Sequence, residues 1–180
     1  MKLNRIVRAS LALFYLGLFP SSASAQTGSA PPTDAAHKYT AYEKLVYDNV
    51  IQFHKNFDDH EWNKNGALVA DNLVVNSNGT EFHGRDEFVT RITRFVVPFP
   101  DVKITDLDTV VDGNKAAIRF VITGTQTGDL STPTGVLHPT DRKIKVVGIE
   151  YFTFDEEGKL IDLLTVEDLA GMMRQLTIPH

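Results

Sequence analysis

The 180-residue sequence contains no cysteine. That excludes disulfides, thiolate nucleophiles and cysteine-ligated metals, and leaves a packed core as the source of stability. Basic residues are outnumbered, 18 Lys and Arg against 23 Asp and Glu. Such a balance disfavours nucleic acid and anionic lipid as partners, because both need basic patches. No run is long and apolar enough to supply the roughly 20 residues of a membrane span. There is no glycine-rich phosphate loop, no serine nucleophile elbow and no zinc-type helix motif. His54, Asp58 and His60 lie close in sequence but do not share one helical face, so they read as a solvated helix end and not as metal ligands. His83 and His138 are scattered, and no metal or organic cofactor is expected.

The N-terminus carries the three parts of a secretory signal peptide. Lys2, Arg5 and Arg8 form a basic start, Leu11 to Phe19 an apolar stretch, and Ala23-Ser24-Ala25 a small-residue cleavage site before Gln26. Residues 1–25 are therefore expected to direct export to the periplasm or medium. Without them the net charge moves from −5 to −8, since three basic residues and no acidic ones are lost. Residues 26–36 are small, polar and proline-containing and read as a flexible leader. Residues 37–180 then suffice for one core.

The apolar period changes along this region. Tyr42, Leu45, Val46, Val50, Phe53 and Phe57 fall at helical spacing, and shorter helices are expected over 61–70 and 85–97, with a short strand at 73–75 between them. From Val102 the period becomes two. Strands over 102–111 and 115–126 flank an Asp112-Gly113-Asn114 turn, and strands over 143–154 and 160–166 flank Asp155 to Gly158. A helical turn over 168–176 closes the chain. Helices followed by an antiparallel meander predict an α+β domain whose sheet curls around the helices and leaves one concave apolar pocket.

Within that pattern Glu150 shares a strand face with Ile144, Val146, Gly148, Phe152 and Phe154. A carboxylate in such company lines a pocket, is buried with a partner such as Arg119 or Arg142, or sits at an open edge, because an unpaired buried charge is costly. Gln126 shares a face with Ile118, Phe120 and Ile122 and is a candidate hydrogen-bond donor to a bound carbonyl, or a structural strand end. Asn76, after the apolar strand, is a second candidate polar group of the pocket. Asp168 stands where an N-cap is favoured. Asn78-Gly79-Thr80 matches a glycosylation acceptor.

Three segments, taken in order, carry a resemblance. They are Phe99-Pro100-Asp101-Val102 with Asp112-Gly113-Asn114; Gly124 to Gly128 with Pro133-Thr134-Gly135 and Pro139 to Arg142; and Gly158-Lys159-Leu160 leading to Asp168 through Leu176. Together they resemble the SnoaL-like polyketide cyclases, or ester cyclases, of the nuclear transport factor 2-like superfamily. The resemblance implies a cone-shaped α+β barrel, often a homodimer through its sheet, with a deep apolar pocket. It also implies a ring closure that needs no metal or organic cofactor, in which an acidic residue moves the proton. The position of that acid is matched here by Asp168. Glu150 departs from the resemblance, standing where a polyketide cyclase carries histidine, and creates a possible Glu150/Asp168 pair.

Two functions are compatible with these residues. One is cofactor-independent cyclisation, isomerisation or hydration of a small apolar carbonyl compound, with Asp168 and Glu150 handling protons and Gln126 and Asn76 binding substrate. The other is an exported pocket domain that binds a small ligand or a protein without chemistry. Export removes the chain from the intracellular synthases that polyketide cyclases serve, and so points to a different substrate.

Overall fold

The computed structural model describes residues 38–178; the expected signal peptide and leader lie outside the described residues. The first helix, α1 (Ala41–Asp58), begins with a reciprocal cap. The Thr40 hydroxyl accepts from the Glu43 amide at 3.1 Å, and the Glu43 carboxylate accepts from the Thr40 amide at 2.8 Å. One face of α1 buries Val46, Val50, Phe53 and Phe57, each worth about 1.5–3 kcal/mol when removed from water. A short α2 (Trp62–Leu68) follows, then β1 (Val69–Ser77), β2 (Thr80–His83) and α3 (Arg85–Arg94). The remainder is β3 (Lys103–Asp112), β4 (Lys115–Thr125), a small ribbon of β5 (Leu130–Thr132) and β6 (Gly135–Leu137), β7 (Lys143–Phe154), β8 (Leu160–Glu167) and α4 (Leu169–Thr177).

Six strands form one sheet in the order β2-β1-β8-β7-β4-β3. All neighbours are antiparallel except β1 and β8, which run parallel. The α+β class and curved sheet agree with the sequence pattern. Three details were not in it: β1 is nine residues long, β2 returns beside it, and the β5–β6 ribbon forms a separate sheet.

Along β7, exposed and buried residues alternate almost without interruption, as a strand with one covered face requires. Gly148 sits on the covered face opposite Phe120. A Cβ there would lie 2.3 Å from the tip of the Phe120 ring, so the ring occupies the space that any side chain would need. Gly148→Ala is expected to lose about 1–3 kcal/mol, as overpacked cores do, and urea unfolding measures it directly. A loss under ~0.5 kcal/mol would show that Phe120 can move aside.

Candidate active site

The concave face of the sheet, α1 and α3 enclose a cavity of about 600 Å³. Its walls are largely aromatic and aliphatic, with Phe53, Phe57, Phe88, Phe95, Phe120 and Leu163 among them. Strand alternation selects the polar groups that enter it. On β7 the phase set by Ile144 and Val146 carries Glu150 inward. On β8 the phase of Leu163 carries Thr165 and Glu167 inward. On α1, His54 lies one turn after Val50 on the covered side and is only 3% exposed.

These groups meet at the buried end of the cavity. His54 Nε2 lies 2.7 Å from Glu150 Oε2, and His54 Nδ1 lies 2.5 Å from Asp106 Oδ1. Thr165 donates its hydroxyl to the other Glu150 oxygen at 3.0 Å. Asp106 reaches this position through a bulge in β3. The register with β4 shifts between Asp106 and Asp108, so Ile104 and Asp106 face inward and the inward phase resumes at Thr109 and Val111. The His54 ring packs edge-on against Phe120, with centroids 5.4 Å apart at 77°.

Carboxylate oxygens stand at both ring nitrogens, and carboxylates only accept hydrogen bonds. Both nitrogens must therefore carry hydrogen for both bonds to form, which makes the ring an imidazolium. Burial opposes that charge, but the hydrogen bonds and negative charges of Asp106 and Glu150 outweigh it and push the His54 pKa up to about 9.

Glu167 is the third inward carboxylate, at the end of β8. Asn78, held with φ +52° in the β1–β2 turn, grips it twice. Its amide nitrogen donates to the Glu167 carboxylate at 3.0 Å, and its oxygen accepts from the Glu167 backbone amide at 2.8 Å. Burial and the charge of Glu150 raise the Glu167 pKa, partly offset by the Asn78 hydrogen bond. The nitrogen a glycan would need is the one that donates to Glu167.

Of the four residues singled out from sequence, only Glu150 lines the cavity. Its partners are His54 and Thr165; Arg119 instead binds Asp108, and Arg142 donates to the carbonyls of Gln175 and Ile178. Asp168 is a helix cap. Its carboxylate accepts from the Gly171 amide at 2.7 Å, and its side chain is 55% exposed. Asp168 follows Glu167, and successive strand residues face opposite ways, so the pocket acid is its neighbour. Gln126 is fully buried but structural. Its amide donates to the carbonyls of Gly128, Leu137 and His138, and its oxygen accepts from Thr140, tying both ends of the β5–β6 ribbon. Asn76 pairs with Leu164 on the outer face and accepts from Gly79 at 3.0 Å, closing a turn outside the cavity. The expectation that His54 belongs to a solvated helix end also fails. The Asp58 carboxylate accepts from the Ile104 amide at 2.7 Å, and His60 stacks on Trp62. No cluster suited to a metal occurs among the described residues.

If Asp168 only caps α4, Asp168→Ala should cost about 1 kcal/mol of stability and leave any pocket chemistry unchanged. Thermal unfolding and a turnover assay on the same sample separate the two. A collapse of turnover at intact stability would return Asp168 to the site.

The family model for SnoaL-like polyketide cyclases matches residues 48–176. Among solved structures, a protein assigned as a SnoaL-like polyketide cyclase from Jannaschia sp. CCS1 superposes with a TM-score of 0.68 at 14% identity, over 80% of this chain and 99% of its own. IdmH, a proposed polyketide cyclase from Streptomyces antibioticus, gives 0.64 at 20% identity, over 74% and 99%. A protein assigned as a ketosteroid isomerase from Kribbella flavida DSM 17836 gives 0.53 at 13%, over 69% and 78%. No curated protein matches the sequence.

Proposed function

This chain belongs to the SnoaL-like polyketide cyclase family, and on that premise we propose that it performs cofactor-independent acid–base chemistry, ring closure or isomerisation, on a small apolar carbonyl compound. The observation that carries this reading is the Asp106–His54–Glu150 chain, whose buried members His54 and Glu150 line a largely apolar cavity. Glu150 takes the proton next to the substrate carbonyl. The enolate that results gains a negative charge beside the His54 imidazolium, whose charge is already in place and needs no reorganisation. Glu167, whose pKa burial raises, gives a proton to the oxygen of the acceptor carbonyl as that carbonyl's carbon receives the new bond in a ring closure, and proton exchange with solvent returns Glu150 and Glu167 to their starting forms. In an isomerisation the proton on Glu150 returns to another carbon. Among the described residues the Asp106 carboxylate hydrogen-bonds His54, and it acts by orienting and charging that ring.

The test needs no knowledge of the natural substrate. Apolar ketones and 1,3-dicarbonyl compounds are incubated in heavy water, and α-deuterium uptake is followed by mass spectrometry for the wild type, Glu150→Gln and Asp168→Asn. Uptake with the wild type and Asp168→Asn but not with Glu150→Gln supports the reading. Absence of uptake for every compound, with binding retained, would favour a non-catalytic binding domain. The exposure of the residue matched to the family's acid, Asp168, is what keeps that second reading open.

Export belongs to the same proposal and rests on residues 2–25. Protein recovered outside the cytoplasm should begin at Gln26; a chain retained inside with Met1 intact would remove it.

A further inference from the structure

The cavity has charges of opposite sign at its two ends. At the buried end, one cation, His54, faces two carboxylates, Asp106 and Glu150, so that end carries excess negative charge. At the exposed end, α3 places Arg91 and Arg94 one turn apart, and both line the cavity. Arg91 is already neutralised. Its guanidinium pairs with Glu87 at 2.7 Å and lies over the Phe82 ring at 4.4 Å. Arg94 has no carboxylate partner among the described residues. Glu167, the acid of the cavity wall, has its own partner in Asn78. Phe88, Ile92, Phe95 and Phe57 add apolar wall to the same cavity.

We propose that the substrate of this site is an amphipathic monoanion, a carbonyl compound with an apolar body and a terminal carboxylate, held with the carboxylate on Arg94 and the carbonyl at His54 and Glu150. The substrate class rests on the acid–base reading of the site. An anion cannot settle at the buried end, where Glu150 and Asp106 would repel it. It can settle at the exposed end, where an unpaired guanidinium offers a two-pronged match to a carboxylate. The opposed charges therefore give the substrate one direction in the cavity, which positions a particular carbonyl for deprotonation.

Oxododecanoates with the ketone at carbon 4, 6 or 8 serve as probes, each compared with its methyl ester by calorimetry on the wild type, Arg94→Gln and Arg94→Lys. At least one acid should bind about tenfold or more tightly than its ester. Arg94→Gln should erase that preference while leaving ester affinity unchanged, and Arg94→Lys should restore part of it. Esters that bind as well as acids at every ketone position would overturn the proposal. So would an Arg94→Gln variant that weakens acid and ester alike, or no binding of either. Deuterium uptake into the methyl esters, abolished by Glu150→Gln, would preserve the acid–base reading even where the carboxylate preference fails. Acid preference without uptake would do the reverse.

Discussion

Glu150→Gln should reduce α-deuterium uptake by roughly 10²–10⁴-fold, the range typical for removing a general base. The exchange keeps shape and removes charge. The new amide can still accept from His54 with its oxygen, and its nitrogen can donate to the Thr165 hydroxyl oxygen, reversing the bond that Thr165 now donates. What disappears is the lone pair that accepts a carbon-bound proton. One of the two carboxylates that hold the proton on His54 is also lost, so the imidazole pKa should fall from about 9. The ring shifts of His54, followed by NMR across pH, report that fall independently of activity. A variant with uptake within about threefold of the wild type would show that Glu150 is a buried structural carboxylate only.

The second large effect concerns stability at alkaline pH. In the unfolded chain His54 returns to its ordinary pKa of 6.5, whereas the folded value is about 9. A group whose pKa is raised by folding holds its proton more tightly in the native state. Its stabilising contribution is therefore complete below pH 6.5 and is lost as pH rises through 9. The gap corresponds to about 3 kcal/mol, an order-of-magnitude figure. Urea unfolding of the wild type from pH 6 to pH 10 should show that decline, steepest between pH 7 and 9. The raised pKa of Glu167 acts with the same sign, its contribution declining as pH rises above 4.5. His54→Gln should be roughly 3 kcal/mol less stable at pH 6.5, because buried Glu150 and half-buried Asp106 lose their cation, and should lack the alkaline step. Should that variant fail to fold, the wild-type titration still decides. A stability flat from pH 6.5 to 9 would mean that His54 is neutral in the folded protein.

Stability and catalysis lean on the same groups. The imidazolium that holds Glu150 and Asp106 in the core is also the charge proposed to meet the enolate. Gly148 serves both ends as well, since it admits the Phe120 ring that packs against His54.

One residue of this site, Glu150, was visible in the chain read by itself. The two-residue alternation of β7 is strong enough to place Glu150 among apolar neighbours without any structure, because a strand face is decided by local backbone geometry. The same rule applied to Leu163, Thr165 and Glu167 would have found the second carboxylate; attention to Asp168, one residue on, obscured it. His54 stands four residues after Val50, a spacing that places it on the covered face, but its grouping with Asp58 and His60 led it to be read as part of a solvated helix end. The α+β class, the two long hairpins and the curved sheet followed from period and turn residues alone, since those signals are short-range.

The partners of these residues are a different matter. Asp106 faces inward only because β3 bulges against β4, and a bulge depends on the pairing of two strands. That His54 sits between Asp106 and Glu150 depends on how α1 crosses the sheet, bringing together residues 52 and 96 positions apart. Asp168 became a cap and Glu167 a pocket acid through the place where β8 ends and α4 begins, a boundary that propensity alone leaves uncertain by a residue or two. In the regular strands sequence determined which side chains could enter a pocket, because that is a matter of local phase; tertiary structure decided where a bulge shifts that phase and which side chains touch, and contact sets their charge.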